Sequence, residues 1–318
     1  MSFHIICERD VGLFSLIQQV IANIPWALQE KRIPIVYFQG RNCYWTPKGY
    51  HGKDSVWEYY FEPLLAAYPA SMVPEHIRKI IDANFPDPFA AGYSADADWY
   101  VSNHFGDHAD LKGKALSIPY LFDDPDDALR LETEKIIRKY IHPRDYIRRK
   151  VDDFFRRTMS TGYVIGVHAR GTDAISKEEI RPHRQGSLVL SKFEAEVHRL
   201  LSLHPQAKVL VATDDQASLG YFQEQFGSRV IAHDSIRHEG GKLAGEGPTG
   251  WIMPAYIAGD RDRAARNGEE AVIEYLLLSR CHHLVHNGGS LARTVLLKAP
   301  GLPHTNTHQL RASLVGIA

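Results

Sequence analysis

Three polar stretches in the second half of the chain carry groups able to hold charge or move protons. Each follows an apolar run: His168-Ala-Arg170-Gly171-Thr-Asp173 after Tyr163-Val-Ile-Gly-Val, Thr213-Asp214-Asp215 after Val209-Leu-Val-Ala, and Asn287-Gly288-Gly289-Ser290 after His283-Leu-Val-His286. The first sets a permanent cation among titratable neighbours, the composition an anionic ligand calls for. The second offers two adjacent carboxylates. They point in alternate directions along an extended segment, so a shared metal does not follow; such an acid can cap a helix or accept hydrogen bonds from a ribose or a guanine edge. In the third, a glycine pair ahead of a helix exposes backbone N–H groups where the helix dipole favours an anion, with Arg293 one turn further on. A tight turn explains the same glycines. Glu178 and Glu179 lie in the loop after Arg170, where a carboxylate in a pocket can serve as general base and a solvated one serves nothing.

These stretches need a scaffold that brings them together, and the apolar patterning supplies one. Residues 163–168, 209–212, 230–232 and 283–286 read as short buried strands. Between and after them, 190–203, 216–226, 268–280 and 290–298 have helical spacing. Strands alternating with helices predict a doubly wound α/β unit, whose ligands sit outside the carboxyl ends of the strands. The first half opens in the same way, with a strand at 3–7, Gly12, a helix at 13–28 and a strand at 35–38. Gly12 would let backbone approach a ligand or a helix closely. Two helices, 128–140 and one from about residue 144, bridge the halves. Residues 86–110 and 237–266 read as loops, the latter long enough to be a lid or binding loop. Trp45, Tyr50, Trp57, Tyr59 and Trp99 either wall a sugar pocket or fill a core. The expected domains are 1–150 and 151–318.

With 318 residues and a formal net charge of −1, the chain shows no bias toward nucleic acid or a membrane surface. No apolar run reaches the length of a membrane span, so no integral membrane segment is expected. Cys7, Cys43 and Cys281 are few and widely spaced, which suits buried thiols in a reducing, cytoplasmic compartment. The 17 histidines show no ordered ligand set, and no metal is expected. P-loop, nucleophile-elbow and Rossmann glycine fingerprints are absent from the sequence.

Taken together, His168-Ala-Arg170-Gly-Thr-Asp173, Val209-Leu-Val-Ala-Thr-Asp214-Asp215, and Ala271-Val-Ile-Glu-Tyr-Leu-Leu-Leu-Ser-Arg-Cys281 with Gly289-Ser-Leu-Ala-Arg293 resemble three ordered motifs of the α1,6-fucosyltransferase family. That family comprises the core fucosyltransferase and the Nod-factor fucosyltransferase. The resemblance spans about residues 160–300 and is loose before that, through Asp10-Val-Gly12-Leu-Phe-Ser. It implies a GT-B fold, two Rossmann-like domains facing a cleft, with an acceptor-side N-terminal domain and a C-terminal domain that holds GDP-fucose as co-substrate. It implies inverting, metal-independent transfer to a glycan, glycolipid or other hydroxyl acceptor, as in polysaccharide biosynthesis. Arg170 would grip the donor phosphate, with His168 and Asp173 beside it. Asp214 or Asp215 would read guanine, and Gly288, Gly289, Ser290 and Arg293 would hold the diphosphate. Glu178, or adjacent Glu179, falls at the base position. Where the core enzyme has a second arginine and a lysine, this chain has Gly171 and Ala174. That departure keeps open another nucleotide sugar, or a binding module without catalysis.

Overall fold

A computed structural model of the chain describes residues 1–84, 92–103, 115–119, 122–172, 189–248, 250 and 252–310. The first half comprises β1 (Phe3–Cys7), α1 (Leu13–Gln29), β2 (Ile33–Tyr37), the short α2 (Val56–Tyr60), α3 (Glu75–Ala83), β3 (Tyr93–Ser94) and β4 (Trp99–Ser102). Its four strands lie in the order β2-β1-β4-β3, parallel except for the β3 edge. Helices α4 (Asp127–Tyr140) and α5 (Asp145–Phe154) follow. The second half contains β5 (Val164–Ala169), α6 (Leu190–Leu203), β6 (Lys208–Thr213), α7 (Gln216–Phe226) and β7 (Val230–Ile231). It continues with β8 (Ala244–Glu246), β9 (Ile252–Pro254), α8 (Ala255–Ala258), α9 (Arg261–Leu278), β10 (His283–His286), α10 (Ser290–Lys298) and β11 (His304–Asn306). Five of these strands form an all-parallel sheet, β11-β10-β5-β6-β7, and β8 and β9 form a separate hairpin.

Strands β1, β5 and β6 have neighbours on both sides and are buried on both faces, which is why they read as near-continuous apolar runs. Each sheet has its own core on one face: Phe3, Ile5, Ile35, Ile77 and Val101 in the first, Val167, Phe193, Val211 and Phe222 in the second. A third and larger core runs between them, built from α1, α9, α10 and the helices that pack on these. The α1 helix is therefore buried nearly all round, polar residues included. Gln19 donates to Cys7 O (2.6 Å) and accepts from Arg9 Nε, and Asn23 accepts from Ser102 Oγ at 2.8 Å. Gln18 crosses to the second half and donates to Ser290 O (2.8 Å) and Thr294 Oγ1 (3.1 Å). These bonds answer for polar groups that burial would otherwise leave costly.

The helix bridging the halves begins where its capping acid stands: Asp126 Oδ1 accepts from Leu129 N at 2.8 Å. Both bridging helices touch the second half, α4 against α10 and α5 against α9. Glu62 N donates to His142 O and Arg144 N to Tyr60 O, which tie their junction to the first.

Three segments depart from the expectation. Trp99–Ser102 is a strand beside β1 rather than loop; four residues are too few to show an alternation. The 237–266 stretch holds the β8–β9 hairpin and the first turns of α9, which Asp260 caps by accepting from Arg263 N at 2.9 Å. Its charged opening, Arg261-Asp-Arg, hides the helical period. The polar tail at 304–306 pairs with β10 as a three-residue edge strand, in register from Leu284 to His286. The aromatics settle as core: Trp57, Tyr59 and Tyr60 are fully buried and Trp99 stacks on Phe3.

Close packing of α9 on α2 requires a glycine. A Cβ on Gly268 would lie 2.3 Å from Tyr60 Oη, a buried hydroxyl that donates to Ala265 O at 2.8 Å. Gly220 in α7 has nothing within 4 Å of its Cβ position. Gly220→Ala should stabilise the protein by about 0.5–1 kcal/mol through helix propensity. Gly268→Ala should destabilise it, overpacking at about 1–3 kcal/mol outweighing the same propensity gain. Urea unfolding of the two variants checks the opposite signs.

Candidate functional site

The second sheet reverses its strand order at β5. From β5 the chain steps through β6 to β7 on one side, then returns to place β10 on the other. The crevice between the carboxyl ends of β5 and β10 is therefore a topological switch point, where ligands bind in open α/β sheets. His168 pairs with His286 across it in register. The sequences that follow, Ala169-Arg170-Gly171 and Asn287-Gly288-Gly289, leave the sheet side by side, and Asn287 Nδ2 donates to Arg170 O at 3.4 Å.

The glycine turn is built for close approach. Gly288 has φ +80°, and a Cβ there would lie 2.9 Å from Phe122 Cα. Only glycine meets both demands at low cost. Gly289 is the N-cap of α10, and its Cβ position lies 3.2 Å from His168 Cε1. With a glycine cap and no acid in its first turn, α10 keeps its positive end uncompensated by its own side chains. Gly289 and Ser290 are half-exposed at that end, while Arg293 is buried and donates from Nη1 to Gly288 O at 2.8 Å. Arg293 thus braces the turn from behind.

At the end of β6, Asp214 takes two hydrogen bonds from the β5 loop, from Gly171 N (2.8 Å) and Thr172 Oγ1 (2.6 Å). Its carboxylate fixes the course of the chain immediately after half-buried Arg170. Asp215 caps α7, accepting from Ser218 N and Ser218 Oγ, both at 2.8 Å. His238 Nδ1 lies 3.4 Å from its other oxygen, and His238 N donates to Asp214 O at 2.9 Å. The segment carrying His238 is held in turn by two buried acids of α9. Glu270 accepts from Ile236 N at 2.7 Å and Glu274 from Ser235 Oγ at 2.8 Å. Burial lifts the Glu274 carboxyl to about 7 against the lowering pull of Ser235 and Arg237.

The hairpin joins this edge to the first half. A Cβ on Gly247, at its tip, would lie 2.7 Å from Asp10 Oδ2 in the loop after β1. Behind the hairpin, half-buried Tyr256 sits near Asp214, Tyr44, Arg170 and Glu274; burial first, then the acids, push its phenol up. Tyr256 does not stand out in the sequence, because what places it is a hairpin hidden in an apparent loop. Gly12 lies at the N-terminus of α1, and its Cβ position is open, so local packing does not demand glycine there. Asp173, Glu178 and Glu179 lie outside the described residues.

No family model matches the sequence, and no curated protein matches it. Solved structures do. The NodZ fucosyltransferase from Bradyrhizobium superposes with a TM-score of 0.57 at 16% identity, over 98% of this chain and 95% of that one. NodZ α-1,6-fucosyltransferase soaked with GDP-fucose gives 0.55 at 17%, over 94% and 93%. POFUT1 in complex with GDP-fucose gives 0.52 at 11%, over 96% and 97%. The fold is GT-B. At these identities the likeness is one of fold, and it covers nearly the whole of each chain.

Within this GT-B chain the two paired histidines are held neutral. Burial, then the Arg170 charge, lowers His168 to about 3. Burial lowers His286 to about 4, against the raising effect of Asp124. An unfolded histidine titrates near 6.5. The unfolded chain therefore takes up protons first as pH falls, so stability is complete above about pH 6.5 and declines as pH falls toward 4. For His168 alone the loss between pH 7.5 and pH 5 is about 2 kcal/mol. Urea unfolding at both pH values should show His168→Phe losing less than the wild type by about that amount. Equal losses would put the proton uptake elsewhere.

Proposed function

We propose that the protein is an inverting glycosyltransferase that moves fucose, or a closely related sugar, from a GDP-linked donor to a hydroxyl acceptor. The reading rests on one convergence: the Arg170 loop, bonded through its carbonyl to Asn287, and the half-exposed, uncompensated N-terminus of α10 leave a switch-point crevice side by side on a GT-B scaffold. The similarly folded NodZ structure soaked with GDP-fucose and the POFUT1 complex with GDP-fucose support this choice of donor.

In this account the diphosphate lies at the Gly289 and Ser290 amides, and the guanine lies toward the β6 edge. Asp214 holds the Arg170 loop and Asp215 holds the α7 cap; either carboxylate retains lone pairs that a guanine edge can use. His168 packs beneath Gly289 and supports the phosphate turn. Asp173, three residues after Arg170 in the sequence, acts beside it on the donor. Gly12, at the end of α1 beside the Asp10 loop, contributes an open backbone on the facing side. Glu178 or Glu179 removes the proton from the acceptor hydroxyl, which attacks the anomeric carbon from the face opposite the leaving GDP. Negative charge grows on the β-phosphate as that bond breaks, and Arg170 with the helix amides stabilises it where it develops. No metal is required for this step, since fixed cation and dipole supply the compensation. The acceptor is a glycan or glycolipid hydroxyl.

A second donor class has a specific observation behind it. Gly171, where the core enzyme carries another arginine, spends its amide on Asp214 and offers no side chain to the donor. Calorimetric titration with GDP-, UDP- and CMP-sugars separates the readings, and GDP-fucose should bind most tightly. Arg170→Ala should lower transfer by about 10²–10³ while leaving the thermal unfolding profile intact. Near wild-type turnover in that variant would end the assignment of Arg170. GDP binding without transfer or donor hydrolysis, unaltered by Glu178→Gln, would mark a binding module instead.

A further inference from the structure

Behind the glycine turn lies a cluster of Asp124, His286 and His304, one ligand-type atom of each within 4.8 Å of the others. Its composition suggests a two-histidine, one-carboxylate metal site, and its hydrogen bonds argue against one. His286 is fully buried, and its Nδ1 accepts from Gly288 N at 3.1 Å. A neutral imidazole has a single proton, so that bond assigns it to Nε2. Nε2 points at Asp124 Oδ1, 3.7 Å away, longer than a hydrogen bond and within electrostatic reach. A metal on Nε2 would move the proton to Nδ1, where it would face the Gly288 N–H donor head on. Metal-bound histidines donate from their second nitrogen; this one accepts.

The same bonds give the cluster a different task. Asp124 is itself fixed. Asn306 Nδ2 lies 3.2 and 3.1 Å from its two oxygens and donates to Phe122 O at 2.8 Å, while His304 Nε2 stands 3.5 Å from Oδ2. The His286 carbonyl is held by Thr307 N (2.7 Å) and Thr307 Oγ1 (3.1 Å). Gly288 is thereby clamped at both polar atoms, its N–H by His286 and its C=O by Arg293. With the Gly288 N–H turned inward, the next amides, of Gly289 and Ser290, are the ones directed to the open end of α10.

We propose that His286 is a positioning residue. Asp124 keeps its proton on Nε2, and its Nδ1 then fixes the Gly288 amide and aims the α10 amides at the donor diphosphate. The role rests on the reading of that turn as the diphosphate site. It explains a buried histidine at the end of a strand where an apolar residue would pack as well. It also explains why Asp124, from a distant segment, is tethered beside it.

Long-range proton–nitrogen correlation spectra of histidine-labelled apo protein test the tautomer, with His286→Gln assigning the signal. The expected result is an Nε2–H imidazole; an Nδ1–H imidazole overturns the proposal. In binding, His286→Asn carries an amide oxygen near the place of Nδ1 and His286→Gln does not. GDP should bind His286→Gln about tenfold more weakly than wild type, the loss of one hydrogen bond. His286→Asn should recover at least half of that loss on a logarithmic scale. Equal weakening in both variants would reduce His286 to packing and overturn the proposal. Titration of the dialysed wild type with zinc alone should show no tight site, and micromolar binding lost in His286→Gln overturns the proposal in favour of a metal. Wild type that binds no GDP sinks the nucleotide-sugar reading, whereas an Nδ1–H imidazole with intact GDP binding sinks only the positioning role.

Discussion

The placement of β10 beside β5 is the constraint from which the site follows. These strands are more than a hundred residues apart in sequence, and the register that sets His286 against His168 brings two polar turns out of the sheet together. Had β10 added beyond β7 instead, β6 and β7 would stand between the turns, and the Arg170 loop would not lie beside the start of α10. The reversal also needs a helix to cover the returning face. The α9 helix supplies it, and its buried acids Glu270 and Glu274 pin the segment that leads away from β7. One topological choice thus fixes the Arg170 loop, the glycine turn and the His238 segment around one crevice.

Fixing the backbone is a separate matter from choosing the strand order, and buried polar contacts do that. Asp214 draws in Gly171 and Thr172, Asn287 bonds the Arg170 carbonyl, and Arg293 and His286 clamp Gly288. These contacts tie two loops and a turn to one another at several points, so together they hold one geometry rather than a range. Anion sites built from backbone amides depend on that rigidity, because the amides act through direction more than through charge. The first half enters through α1, whose Gln18 bonds the first turn of α10, and through Asp10 against the hairpin tip.

Much of this was legible in the sequence where one face or both faces of an element are apolar. The β1, β5, β6 and β10 strands and the helices between them announce themselves, and the polar residues at strand ends follow directly. The roles of those residues were less legible. Asp214 and Asp215 look alike in sequence, yet one holds a neighbouring loop and the other caps a helix, a difference set by a pleat and by a partner more than forty residues away. Arg293 looked like an anion ligand and lies buried against Gly288. Asp124 and His286 gave no sign of each other, because β11 and the segment before α4 are polar and short. The β8–β9 hairpin stayed hidden for the same reason, and Tyr256 with it.

A crystal structure of the protein with bound GDP tests the proposed donor site most directly. The phosphates should lie against the Gly289 and Ser290 amides with the Arg170 guanidinium on the β-phosphate, and the base should lie toward Asp214 and Asp215. GDP bound away from the crevice between β5 and β10, or lying there with its phosphates turned from α10, would contradict it.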